Sequence, residues 1–94
     1  MASGILERLR EKVRTRDYVM TVHAEEEMDE DGLSIFDVES AVLTGKIVEQ
    51  QRDRRTGERK YVVRGRSVGG GEVVVTVVKL GPTGKLVFLT VYVD

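Results

Sequence analysis

Hydrophobic and polar residues follow a helical period in the first half of the chain and a strand period in the second, with the change at Gly45. Ile5, Leu6, Leu9 and Val13 recur at helical spacing between charged residues, which predicts an amphipathic helix over 5–16. Asp17 to Val22 then alternates and is rich in β-formers, predicting a strand over 18–22. A second helix follows, with Thr21 or Val22 at its entrance, acids in its early turns where the helix dipole favours them, and Gly32 as its C-cap. Ser34-Ile35-Phe36-Asp37 has the form of a capping box, with Leu33 and Val38 placed as a hydrophobic staple. It predicts a third helix over 34–44 that buries Ile35, Val38, Val42 and Leu43 and is closed by Gly45. From Lys46 onward the period is two, and strands are expected at 46–52, 59–66, 72–80 and 85–93. Their connections, Asp53 to Gly57, Ser67 to Gly71 and Gly81 to Gly84, are short, so the four strands form an antiparallel meander. The order α-β-α-α-β-β-β-β predicts an α+β domain with helices packed on one face of a curved antiparallel sheet.

Parity assigns the faces of that sheet. Val87, Leu89, Val91 and Val93 are expected against the helices, and Leu86, Phe88, Thr90 and Tyr92 on the other side. Registering the strands by their turns gives that second face Lys60, Arg64, Arg66, Thr76, Thr90 and Tyr92, while Lys79 falls on the core side. Three cations, two hydroxyls and a phenol on a concave face suit an anionic polymer; they equally suit a solvated sheet face.

Composition narrows the choices. At 94 residues the chain makes one domain, 1–94, with too little length for two cores. Without cysteine there are no disulfides or thiolate chemistry, and one histidine argues against a zinc or iron site, so no metal and no cofactor is expected. No apolar run reaches the length of a membrane span, and the start is not a signal core, so a cytoplasmic protein that avoids membranes is expected. The net charge of −1 conceals a segregation: residues 25–31 hold six acids and no base, and residues 46–66 hold eight bases against three acids. The acidic run reads as a solvated helix face, and helical acids point in too many directions to chelate Ca²⁺. Gly69-Gly70-Gly71 precedes a strand rather than a helix, so it is a flexible turn and not a phosphate-cradling loop.

A set of short motifs in one order completes the picture. His23-Ala24-x-x-x-Met28, Asp31-Gly32-Leu33-Ser34, Asp37-Val38, Gly45-Lys46-Ile47-Val48 and Thr90-Val91-Tyr92 resemble the domain of unknown function 4258 family over about residues 18–93. The resemblance implies a small bacterial or archaeal protein with a RelE-like fold, similar to the RelE/ParE and BrnT type toxins, in which several relatives cleave RNA. It implies RNA as a partner and metal-independent ribonuclease chemistry. The family pattern is His-Ala-x-x-Arg-Met followed by Glu-Arg-Gly, whereas Glu27 and Asp31 stand here where those arginines would be.

Under that resemblance His23 and Glu27, one helical turn apart, form a general base for a ribose 2′-hydroxyl. Arg64 or Lys60 would stabilise the pentavalent phosphate, and Tyr92 would stack a base or donate a proton. Lys60, Arg64 and Arg66, with Arg54 and Arg55 on a mobile hairpin tip, would hold the RNA backbone. The same residues have plainer roles: a histidine opening a helix as a cap or packing residue, and a tyrosine near a strand end as an amphipathic lid. Two functions therefore stand side by side. One is an RNA-binding or RNA-cleaving domain of toxin type. The other is a non-catalytic module whose acidic helix and sheet edge hold a protein partner or a second copy. An antitoxin-like partner goes with the first reading, and the chain is expected to be a monomer or homodimer.

Overall fold

The computed structural model describes residues 4–94. Its elements run α1 (Gly4–Arg14), β1 (Tyr18–Met20), α2 (Val22–Asp31), α3 (Ile35–Thr44), β2 (Lys46–Arg52), β3 (Arg59–Arg66), β4 (Val73–Leu80) and β5 (Leu86–Val93), with a 3-10 turn at Val68–Gly70 before β4. This is the expected α+β order. The meander β2 to β5 is antiparallel, and β1 joins it beside β5 in parallel, giving a five-stranded mixed sheet of order β1-β5-β4-β3-β2. The all-antiparallel expectation is corrected there, because the chain reaches β1 before the meander is built and returns beside it only through β5.

Local sequence explains most of the helix ends. α1 finishes two residues early in a Schellman turn, with Asp17 N–H donating to Lys12 O at 2.8 Å and Arg16 N–H to Val13 O at 3.1 Å. Arg16 takes the left-handed position at φ 57°, where glycine is usual. α2 opens on Thr21, whose hydroxyl accepts from Ala24 N, and closes with Gly32 at φ 67°. α3 has the full capping box: Asp37 N–H donates to Ser34 Oγ, and Ser34 N–H to the Asp37 carboxylate. Its C-terminus is capped from a distance, since Arg10 of α1 donates to Val42 O and Gly45 O.

The core lies between the three helices and one sheet face, with Leu9, Val13, Ala24, Val38, Ala41, Val42, Val63, Val74, Val78, Leu86, Phe88 and Val91 buried. Ile35 is only half-buried and Leu43 is exposed; Ala41 takes the expected place of Leu43. The reason is close approach. α3 presses so tightly on β3 that a Cβ on Gly65 would lie 2.0 Å from Ala41 O, and one on Gly45 2.3 Å from the same atom. Gly45 is therefore there for lack of a side chain and not as a left-handed cap, its φ being −92°.

Register corrects the faces. Arg64 pairs with Val75, which pairs with Tyr92, so Lys60, Arg64 and Arg66 share a face with the odd-numbered residues of β4. Thr76 pairs with Val63 and Val91 on the helix side and is fully buried, while Lys79 pairs with Val87 on the open side; both expectations are reversed. In β5 a bulge places Phe88 opposite Val78 and Thr90 opposite Val77, leaving Leu89 as the extra residue. Parity switches at that residue. Leu86 and Phe88 consequently join Val91 and Val93 on the helix side, and Val87 does not.

Candidate functional site

The open sheet face carries side chains in rows set by the register. One row reads Lys46, Arg64, Val75, Tyr92; the next reads Glu49, Val62, Val77, Thr90. Gln51 and Lys60 are paired beyond them, Lys79, Val87 and Val19 continue that end of the face, and Arg66 and Val73 close the other. Among the described residues no helix covers this face, yet Val62 and Val75 are 8% and 3% exposed, so the polar side chains around them form walls over an apolar floor. Tyr92, in register beside Val75, keeps 40% of its surface exposed.

The cations are not equivalent. Lys79 is neutralised, its ammonium 3.1 Å from both oxygens of Glu58. Arg64 is paired with the Asp94 carboxylate. Lys46, Lys60 and Arg66 have no ion pair among the described residues. Lys46, Arg64 and Arg66 together line a cleft of about 280 Å³, with Thr44, Val48 and Val73 as further walls. The hairpin carrying Arg54 and Arg55 is closed by Asp53, whose carboxylate accepts from Arg55 N at 2.8 Å and Thr56 N at 3.1 Å. Those bonds hold its carboxyl below the usual carboxylate range.

α2 sits beside β5, and its acids have a function that sequence reading missed. β1 is three residues long and covers only Leu86 to Phe88, which leaves the rest of the β5 edge without a strand partner among the described residues. α2 takes over. Thr21 N–H donates to Phe88 O at 3.1 Å and Thr21 Oγ1 to Leu89 O at 3.3 Å. Val91 N–H donates to Glu27 Oε1 at 3.0 Å, and Val93 N–H to Asp31 Oδ2 at 2.9 Å. The match is geometric: four helical residues rise about 6 Å, close to the two-residue repeat of about 6.7 Å between equivalent strand amides. Carboxylates one turn apart can therefore satisfy alternate edge amides, a task no arginine could perform because arginine accepts no hydrogen bond.

His23 stands one turn before Glu27, its Nε2 3.4 Å from Glu27 Oε1, with 66% of the imidazole side chain exposed. These two expected site residues meet. Arg64 and Tyr92 lie in one row with Val75 between them; Tyr92 stands on β5, the strand beside α2, and Arg64 lies two strands further from that helix. Glu25, Glu26, Asp29 and Glu30 are exposed. Met20, Met28 and Ile35 floor a second cleft of about 320 Å³ that Glu25 and Asp29 rim.

The motif residue Asp37 and the β1 residue Tyr18 prove architectural. Asp37, besides capping α3, accepts from Val68 N at 3.0 Å and so ties the β3–β4 connection to the helix; the Ser34 and Val68 amides keep its carboxyl below the ordinary value. Tyr18 donates to Glu39 and meets Phe88 edge-on with ring centroids 5.3 Å apart. Burial, then the Glu39 bond, pushes its phenol up to about 12. Among the described residues, no group of three or more histidine and acidic side chains is arranged to hold a metal ion, and no helix is long and apolar enough to cross a membrane.

Over residues 20–93 the chain matches the family described as "Domain of unknown function (DUF4258)". The chain belongs to that family. No curated protein and no solved structure matches it. Several residues that carry the DUF4258 motifs are thus seen in position. Ala24 and Val38 pack in the core, Gly32 and Asp37 cap helices, and Tyr92 faces the open sheet.

Proposed function

We propose that this DUF4258 domain binds single-stranded RNA on its open sheet face. The observation that carries this reading is the set of cations on that uncovered face, of which Lys46, Lys60 and Arg66 have no ion pair among the described residues, grouped around an apolar floor with Tyr92 exposed beside it. Cations along a groove track a phosphate backbone, and an exposed phenol offers a stacking surface without regard to base identity. The resemblance implied by the sequence motifs, to RelE/ParE and BrnT type toxins, favours RNA as the polymer. Arg54 and Arg55 extend the basic surface at the hairpin tip. Cleavage at the rim would fall to His23, whose exposed imidazole can accept a proton; Glu27 orients it while remaining bound to the Val91 amide. The test is fluorescence anisotropy with a short single-stranded RNA at low and physiological salt. Binding that weakens steeply with salt, and is lost in a Lys60→Glu, Arg66→Glu double variant, supports the reading; salt-independent or absent binding overturns it. Intact RNA after long incubation would restrict the function to binding.

A second reading, a non-catalytic module for a protein partner, is favoured by the α2 cleft. Its methionine floor and acidic rim suit a basic amphipathic segment. Reversing Glu25 and Asp29 to lysine would abolish such a complex while leaving RNA binding intact.

A further inference from the structure

We propose that the cleft between Lys46, Arg64 and Arg66 is a site for a phosphate monoester, and that Asp94, by pairing with Arg64, competes in cis with that ligand for the guanidinium. The inference rests on the RNA reading and deepens it, by assigning the end of the open face to a terminal phosphate.

The charges require an anion there. Lys46 lies directly opposite Arg64 in the β2–β3 ladder, an arrangement in which like charges repel. Arg66, two residues along β3, falls on the same face. Against these three cations the described residues place one counter-charge, the Asp94 carboxylate on Arg64. A dianion in the cleft would answer two of the three positive charges, where Asp94 answers one. A phosphate monoester is close to dianionic at neutral pH, whereas a backbone diester carries a single charge.

The frame is rigid where it needs to be. Arg66 N–H donates to Thr44 Oγ1 at 3.0 Å, and that hydroxyl donates to Ser40 O at 2.8 Å, so the end of β3 is fixed to α3 beneath the cleft. Asp94 N–H donates to Val73 O at 2.9 Å, which fixes Asp94 at the end of β5, where it meets Arg64. Val48, half exposed at the β2 bulge, and Val73 supply apolar walls. A cavity of about 280 Å³ takes a phosphate together with the sugar that bears it. The Arg64–Asp94 pair is weak enough to yield, since its partners are 48% and 45% exposed. A phosphate arriving with two charges displaces one carboxylate, and Asp94 sets the threshold for occupancy.

The experiment compares the wild type with Asp94→Asn and Arg66→Gln by amide NMR titration. The probes are inorganic phosphate, a short single-stranded RNA bearing a 5′-phosphate, and the same RNA ending in a 5′-hydroxyl. Expected are a several-fold preference of the wild type for the 5′-phosphorylated strand and loss of that preference in Arg66→Gln. Asp94→Asn should bind inorganic phosphate about two- to fivefold more tightly, the scale of one exposed ion pair released. Equal affinity for both RNAs overturns the terminal-phosphate site while leaving RNA binding in place. Phosphate binding that Asp94→Asn does not tighten overturns the competitor role. Phosphate bound with the expected variant effects, in a protein that binds neither RNA, supports the site for small phosphate monoesters and removes the polymer reading alone.

Discussion

The two faces of the sheet use the same strands for opposite ends. The covered face is filled by aliphatic side chains and by one close helix approach, with Gly65 meeting Ala41 in place of a side-chain layer. The open face keeps a buried apolar floor at Val62 and Val75 but surrounds it with charges that the fold leaves largely unpaired. α2, at the border, shows a third arrangement. Its Glu27 and Asp31 carboxylates look like surface charge in the sequence but complete the hydrogen bonding of β5. Charge alone is therefore a poor guide to role. What separates a structural charge from a binding one is whether a backbone group or an ion partner already holds it.

That contrast can be broken most forcefully on the covered face. Gly65→Ala should cost about 3 kcal/mol, because the new methyl meets main-chain atoms of α3 that cannot rotate away; a urea denaturation midpoint within error of wild type would refute the close packing. Next in size, Glu27→Ala should cost about 1–3 kcal/mol by leaving the Val91 amide, on a fully buried residue, without its acceptor. Glu27→Gln retains an acceptor oxygen and should recover most of that loss. Equal destabilisation by both would show that charge rather than the amide contact matters. Thr76→Val should act in the opposite direction and stabilise by about 1 kcal/mol, since Thr76 Oγ1 is buried with no partner among the described residues; a fall in Tm would reveal a hidden acceptor.

Smaller still are the titrations. Lys85 and Lys12 hold the Asp17 carboxyl below its ordinary value, as backbone amides hold Asp37 and Asp53. A depressed carboxyl contributes stability above its unfolded pKa of about 4, and that contribution is lost as pH falls through the lower folded value. Tyr18 has the opposite sign: its contribution is whole below about 10 and disappears as pH rises toward about 12. Chemical denaturation across pH should show a plateau between these limits, with Asp37→Asn flattening the acid limb; an unchanged acid limb in that variant would refute the assignment. The least effect on stability belongs to the open face. Arg66→Gln should shift the denaturation midpoint by no more than about 0.5 kcal/mol while lowering the salt slope of RNA binding by about 0.7. A large loss of stability would place Arg66 among the structural charges.

Element order, helix caps and strand limits were legible in the sequence because they depend on neighbours: Ser34 with Asp37, Thr21 with Ala24, Gly32 at its left-handed φ, and the change of period after Gly45. The motifs that place the chain in DUF4258 were legible for a related reason, since each is a short contiguous pattern. Long-range relations were not. A single bulge at Leu89 exchanged the faces of half a strand, and pairing across two turns sent Thr76 inward and Lys79 outward. Arg10 reaches α3 from 35 positions away, and Glu27 and Asp31 reach β5 from more than 60. Periodicity states that a side chain alternates. Which side it faces, and whether a charge meets an amide, an ion or water, depends on register and on the distance between elements, and those are properties of the packed chain.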